Sequence, residues 1–103
     1  MPRPFLVIAA LAATAAANPA LASEALAKAR NCMACHSVDK KIVGPAYRDI
    51  ARKFADQPGA AATLSNAILK GSQGVWGRVA MPPNAAVNPE EAQKLAAWVL
   101  SLK

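Results

Sequence analysis

The stretch that decides the fold is Cys32-Met33-Ala34-Cys35-His36, and it holds the only histidine among the 103 residues of the chain. Two cysteines with two residues between them lie about one helical turn apart, and the histidine follows directly. At this spacing both thiols can add to the vinyl groups on one edge of a porphyrin, while the imidazole binds the iron. The stretch therefore predicts one haem c, covalent through Cys32 and Cys35, with His36 as an axial ligand.

Other uses of two cysteines and one histidine remain as alternatives. A thioredoxin-like redox pair would need a strand–helix–strand context, and the flanking sequence shows no strand alternation. A structural zinc site needs about four ligands, which is more than this stretch offers. A structural disulfide across so short a spacing would be strained.

A second axial ligand is predicted further along the chain. Met33 lies between the two cysteines and cannot reach the far face of a porphyrin. Met81 lies in a long loop and is followed by Pro82-Pro83, whose restricted backbone can hold a thioether in place. A lone methionine is often core filler, but a loop methionine flanked by prolines has little core to fill. The sequence therefore predicts His36 and Met81 as the two metal ligands.

The amino terminus has the pattern of a secretory signal. Met1 to Arg3 is basic, Phe5 to Ala17 is apolar, and Ala20-Leu21-Ala22 is a small-residue cleavage site. This pattern predicts a cleaved signal peptide over residues 1–22, export to the periplasm, and a single domain over 23–103. An uncleaved membrane anchor is the alternative, although the apolar run is short for a bilayer.

Size and charge narrow the classes of function. The domain at 23–103 has 81 residues, and so short a chain usually needs a disulfide, metal or cofactor to stabilise its core. The formal net charge is +6 and falls to +5 when Arg3 is removed. Because the basic residues are scattered and the chain is exported, we expect acidic protein partners or a merely solvated surface, and no nucleic acid. We also expect no stable membrane insertion after cleavage.

Apolar spacing and capping residues predict an all-α domain of four short helices. Ser23 is the predicted N-cap of the first helix, Gly71 ends the third, and Asn88 caps the last with Pro89 in its first turn. The predicted elements are Ser23 to Ala34, Ala46 to Phe54, Ala60 to Lys70, and a final helix from Pro89.

Longer motifs surround the Cys32–His36 stretch, and together they cover essentially all of residues 23–103. They are VGPAYRDIARKF (Val43–Phe54), GSQGVWG (Gly71–Gly77) and MPPN (Met81–Asn84). In combination they resemble the cytochrome c-551 family of small bacterial class I cytochromes c. The resemblance implies the class I cytochrome c fold, in which four short helices wrap around one covalently bound haem.

The same resemblance implies a function. Its members are periplasmic single-electron carriers with histidine and methionine axial ligands, and they are not enzymes. They carry electrons from a bc-type complex to a terminal reductase such as nitrite reductase, and a peroxidase or an oxidase is an equally compatible acceptor for a monomeric carrier of this kind. Two alternatives remain for this chain: an open-site haem enzyme or gas sensor, and a structural haem module of a larger complex.

The resemblance also assigns roles to individual residues. It implies that Pro45 presents its carbonyl to the His36 ring and that Trp76 donates its indole N–H to a haem propionate, with core packing as the alternative. It implies that Asn84 hydrogen-bonds near the Met81 sulfur, with a simple Asx turn as the alternative.

The chain departs from its relatives at Ala67, where they often carry an arginine that holds a propionate, and the turn before Asn88-Pro89 is one residue longer. Aromatic side chains are expected in the core or the haem wall, and basic side chains are expected to steer docking. The aromatic set is Tyr47, Phe54 and Trp98, and the basic set is Lys28, Lys40, Lys41 and Arg78.

Overall fold

The computed structural model describes residues 2–4 and 18–103, so the predicted apolar signal run at 5–17 lies outside the described residues. Over residues 18–103 the chain forms four α-helices and one short 3₁₀ helix and no strand, which confirms the all-α prediction. None of the described helices is long and apolar enough to cross a membrane. The elements are α1 (Pro19–Ala29), the 3₁₀ helix (Cys32–Ala34), α2 (Tyr47–Phe54), α3 (Ala60–Lys70) and α4 (Pro89–Ser101).

The prediction for the first helix was wrong at both ends. Helix α1 begins at Pro19 rather than after Ser23, because the Asn18 side chain accepts a hydrogen bond from the Ala20 backbone N–H at 3.1 Å. Proline in the first turn loses no helical hydrogen bond there, so Asn18-Pro19 starts this helix. The helix ends at Ala29 because Asn31 adopts a left-handed backbone conformation with φ of 63°. Asparagine tolerates this conformation better than most residues.

The other helices follow the prediction closely. Helix α2 starts one residue later than predicted, with Ala46 as its N-cap, and α3 has the predicted bounds. At the start of α4, Asn88 and Glu91 form a reciprocal capping box: the Glu91 backbone N–H donates to Asn88 Oδ1 at 2.8 Å, and the Asn88 backbone N–H donates to Glu91 Oε1 at 3.3 Å. The box satisfies two backbone donors that a helix end would otherwise leave unpaired.

Helix α4 is the element against which the other three helices pack. Its buried face includes Leu95, Trp98 and Val99, and it meets Ala27 from α1 and Ile50 from α2. The core is small because most other side chains are at least partly exposed. Three short helices packed against a fourth leave room beside the core, and that space is the site described below.

An ion pair joins the end of α1 to the start of α4. Arg30 Nη2 lies 2.8 Å from Glu91 Oε2, and Arg30 Nε donates to both Glu91 carboxylate oxygens at 3.3 and 3.4 Å. The guanidinium of Arg30, together with the Asn88 backbone N–H, lowers the pKa of Glu91. The pair therefore fixes the segment that leads into Cys32 relative to α4.

We expect Glu91→Gln to reduce the dependence of stability on pH. Because the pKa of Glu91 is lower in the folded than in the unfolded chain, its stabilisation is present above the unfolded value of about 4.3 and is lost as pH falls through the folded value. Guanidinium unfolding should show a gap in the free energy of unfolding between the parent protein and Glu91→Gln at neutral pH, and this gap should close in acid. The control Glu90→Gln removes an exposed carboxylate that pairs with Lys94 at 3.5 Å, and it should show no such gap. A gap that is independent of pH would contradict this prediction.

Candidate haem site

A cavity of about 690 Å³ lies beside the core, within the range of 300–1,000 Å³ typical of cofactor sites. Two separate parts of the chain supply much of its wall. The first contains Cys32, Cys35 and His36, and the second contains Trp76 and Met81. The space therefore brings together the thiols, the imidazole and the thioether that the sequence predicted as one site.

The backbone around the cysteines is a tight 3₁₀ turn. The backbone N–H groups of Cys35 and His36 both donate to the Cys32 carbonyl, at 3.2 and 3.0 Å. Both thiols are free and half-buried, and burial raises the pKa of the Cys32 thiol. The described residues 18–103 form no strand, so the strand–helix–strand context of the thioredoxin-like alternative is absent from them. Among the described residues, no cluster of three or more His, Cys, Asp or Glu side chains forms a metal site.

His36 is fixed from two sides. Its side chain is 8% exposed, its Nδ1 lies 2.8 Å from the Pro45 carbonyl oxygen, and its ring stacks on Tyr47 with 5.0 Å between ring centroids. A carbonyl oxygen only accepts, so Nδ1 carries the proton in this hydrogen bond. In the neutral imidazole, Nε2 then keeps its lone pair, which is the state that a metal ligand requires.

Gly44 packs directly against the histidine ring. A Cβ at this position would lie 2.6 Å from His36 Cε1, 2.9 Å from Nδ1 and 3.1 Å from Nε2. Its backbone N–H donates to the Cys35 carbonyl at 2.7 Å, which holds the glycine in place. No other residue type fits this position without moving the imidazole, so Gly44 is part of the site.

Met81 lies at the base of a closed loop. Its backbone N–H and carbonyl pair with the carbonyl and N–H of Ser72, at 2.8 and 2.9 Å. Gly71, with φ of 84°, approaches so closely that a Cβ there would lie 2.7 Å from the Met81 carbonyl oxygen. These contacts fix the Met81 backbone, while residues 73–80 between the two ends are exposed.

Asn84 makes two hydrogen bonds within the protein, and the contact near the Met81 sulfur that the resemblance implies stays a prediction. Its side-chain Nδ2 donates to the Arg30 carbonyl at 2.9 Å, and its Oδ1 accepts from the Ala86 backbone N–H at 3.1 Å. The second contact is the Asx turn that was the alternative. The first connects the residues after Met81 to the end of α1, so Asn84 links the two parts of the chain that line the cavity.

Trp76 is 40% exposed and lines the cavity, and its hydrogen bond to a haem propionate stays a prediction. Ala67, the position where relatives often have arginine, also lines it. The expectation for the other aromatic side chains is confirmed, because they are buried and border the cavity: Tyr47, Phe54 and Trp98.

Comparison with known proteins identifies the family. The sequence profile of the cytochrome c family matches residues 20–103. The chain belongs to the cytochrome c family. It is 60% identical to cytochrome c-551 of Pseudomonas aeruginosa over 80 residues, which cover 78% of this chain and 76% of that one.

Solved structures of cytochromes c share the fold. Nitrosomonas europaea cytochrome c552 matches with a TM-score of 0.76 and 52% identity, over 78% of this chain and 99% of that one. A class 1 cytochrome from Sideroxydans lithotrophicus matches with a TM-score of 0.64 and 30% identity, over 79% of this chain and 92% of that one. The family and the class I cytochrome c fold that the sequence motifs predicted are confirmed.

This c-type cytochrome therefore binds one covalent haem c and is an electron carrier rather than an enzyme. Its own residues fit the cofactor. The two cysteines of the chain and its single histidine border one cavity of suitable size. The histidine is in the tautomer that leaves the Nε2 lone pair free to bind a metal.

Four large apolar side chains of the cavity lining in this cytochrome are also exposed: Val43, Val75, Trp76 and Val79, at 53%, 45%, 40% and 64%. Of the basic residues expected to steer docking, Lys41 and Arg78 line the cavity, whereas Lys28 and Lys40 do not.

Sequence reasoning missed several residues that support the site from outside its motifs. Gly44 directly precedes Pro45, and that pairing of residue types was the one available signal. The Arg30–Glu91 pair joins residues 61 positions apart, which no local pattern indicates. No local pattern indicates the contact of Lys53 either, whose ammonium lies over the Trp76 ring.

Proposed function

We propose that this chain is a periplasmic, monomeric single-electron carrier whose haem is closed on both faces, with His36 and Met81 as axial ligands. The observation that carries the proposal is the pairing of two fixed ligands at one cavity. His36 is held by Pro45, and Met81 is held by Ser72. When bound, haem c supplies an iron that takes up and releases one electron.

The residues of the chain determine how that iron behaves. The Pro45 carbonyl orients the imidazole and raises its basicity through the hydrogen bond to Nδ1. The thioether of Met81 favours reduced iron, so it raises the reduction potential relative to a second histidine. Because Pro45 holds the His36 ring and Ser72 holds the Met81 backbone, we expect little to move when the charge changes. A site with two protein ligands also leaves no position for a substrate.

A potentiometric titration tests this function. We expect a single reversible one-electron transition, with the optical spectrum of six-coordinate iron in both states, and an alkaline pyridine spectrum of the thioether-linked type. Rapid binding of carbon monoxide by the reduced protein would instead support the open-site enzyme or gas sensor. Obligate co-purification with a larger enzyme would support the structural module.

Docking is proposed to occur at the exposed apolar residues of the cavity lining, which are Val43, Val75, Trp76 and Val79. An exposed apolar surface there would let a partner exclude water and approach the cofactor closely, and Lys41 and Arg78 add positive charge to the same lining. This combination fits a redox protein with an acidic margin around its own cofactor. We propose a bc-type complex as the donor and a terminal reductase such as nitrite reductase, a peroxidase or an oxidase as the acceptor.

We expect Arg78→Gln to slow reduction by the donor roughly two- to fivefold at low ionic strength, because removing one nearby charge weakens steering by about 1 kcal/mol at most. The rates of the variant and the parent should converge at high salt. The matched control is Lys28→Gln, since Lys28 pairs with Glu24 at 3.5 Å and lies outside the cavity lining. Stopped-flow mixing with candidate partners measures both rates. Equal slowing by the control would show an effect of net charge alone.

Export is proposed from the signal pattern. Cleavage after Ala22 would remove Asn18 and the first turn of α1, leaving Ser23 to cap the shortened helix. Intact-mass measurement of the protein from a periplasmic extract should give a chain that begins at Ser23. A chain that retains residues 1–22 would contradict the cleavage.

A further inference from the structure

The loop at residues 73–80 carries Trp76 and is held mainly at its base. Ser72 and Met81 close it by two backbone hydrogen bonds, and every residue between them is exposed. Within the described residues, no side chain of 73–80 makes an ion pair, and the contact that reaches its centre comes from α2. There the Lys53 ammonium lies 5.2 Å from the centroid of the Trp76 ring.

This distance is within the range of about 6 Å at which a cation is attracted to an aromatic face. Lys53 lies in the last turn of α2, where the helix dipole favours a positive charge. The neighbouring Arg52 is engaged differently, because it donates to Asp49 at 3.1 Å. Lys53 is thus the cation of this turn that faces the loop.

The position of Lys53 relative to the cavity determines what it can do. Trp76 lines the cavity and Lys53 does not. The contact that connects Lys53 to the cavity wall is therefore the one with the indole. Ala67 also lines the cavity, and its methyl side chain could not donate to a haem carboxylate, so such a carboxylate would depend on other donors in the lining, such as Trp76.

We propose that Lys53 is a positioning residue for Trp76: its ammonium holds the indole at the cavity wall, so that the ring N–H can serve as a donor to a haem carboxylate and the loop 73–80 keeps its shape. The inference rests on the proposed role of Trp76 as that donor. It adds Lys53 of α2, which lies 23 positions before Trp76 in the sequence, to the residues that support the cofactor site.

Exchange of the Trp76 indole proton tests the proposal in the reduced holoprotein. We expect Lys53→Gln to accelerate it roughly two- to fivefold, the factor that corresponds to a cation–π contact at an exposed site. Lys53→Arg should restore the parent rate, because arginine makes the same contact. The control Lys70→Gln removes an exposed charge from the end of α3 and should leave the rate unchanged. The Trp98 indole is the internal reference, and a Trp76→Phe variant assigns the two signals.

Unchanged exchange in Lys53→Gln would overturn the proposal. Equal acceleration by Lys70→Gln would overturn it too, because the effect would then be one of net charge. Equal acceleration at Trp98 would overturn it as well, because the contact would then contribute only to global stability. The Met81 methyl signal in the same spectra reports on the proposed axial ligation independently, so failure of the two proposals can be told apart.

Discussion

Met81→Ala should open the iron to carbon monoxide and lower the reduction potential by a few hundred millivolts, within the range of roughly 0.8 V that axial ligands span. The thioether favours reduced iron, and its removal leaves one face of the haem without a protein ligand. Because the Met81 backbone is fixed by Ser72, the loop should keep its place while the ligand is lost. Potentiometric titration and carbon monoxide binding measure the two effects.

Two further variants separate ligation from packing. Met81→His should lower the potential too but keep the iron closed to carbon monoxide, because a second imidazole replaces the thioether. Met33→Leu is the matched control, since Met33 packs partly buried against the core and leucine has nearly its volume. If Met81→Ala kept the parent potential and bound no carbon monoxide, Met81 would not be a ligand.

Gly44→Ala should destabilise the holoprotein by about 1–3 kcal/mol, the usual cost of forcing an extra methyl group into a packed site. The new Cβ would lie 2.6 Å from His36 Cε1, so the imidazole must move and its hydrogen bond to Pro45 must lengthen. Guanidinium unfolding of the oxidised protein measures the change in free energy of unfolding.

The control for Gly44→Ala is Gly59→Asn. A Cβ at Gly59 meets nothing within 4 Å, and asparagine tolerates its φ of 73°. We expect the control to change the free energy of unfolding by less than about 1 kcal/mol. A Gly44→Ala variant as stable as the parent, with an unchanged spectrum, would show that the close packing on His36 is not a constraint.

Local signals in the sequence predicted much of the fold. The bounds of α3 and the cap of α4 follow from Gly71 and Asn88, because capping residues act within one turn of the helix end. The predicted start of α1 was wrong because residues 1–22 were assigned to a signal peptide, whereas Asn18-Pro19 within them has the residue types that start a helix. Its other end depends on the left-handed Asn31, which periodicity does not detect.

The site was predictable where chemistry requires particular residue types at a fixed spacing, as in Cys32 to His36. It was not predictable where residues far apart in sequence meet. Asn84 donates to the Arg30 carbonyl because α1 ends beside it in the fold, and no local pattern indicates that contact. Its hydrogen bond near the Met81 sulfur stays a prediction. The approach of Gly44 to His36 has the same origin, since only the folded loop brings them together.

Each of the two proposed ligands is held by neighbouring residues of the chain. Gly44 and Pro45 fix the imidazole, and Ser72 fixes Met81. Asn84 connects the second segment to the end of α1. If His36 and Met81 are the ligands, as proposed, an arrangement that fixes them suits a carrier whose iron changes charge with little motion, and it does not suit a site that must admit a substrate.

The claim that the haem is closed on both faces is tested most directly by NMR of the reduced protein labelled at the methionine methyl groups. If Met81 binds the iron, its methyl group lies over the porphyrin and its signal is shifted far upfield by the ring current, while the Met33 signal stays near its ordinary position. A Met81 methyl signal at the ordinary position would contradict the account.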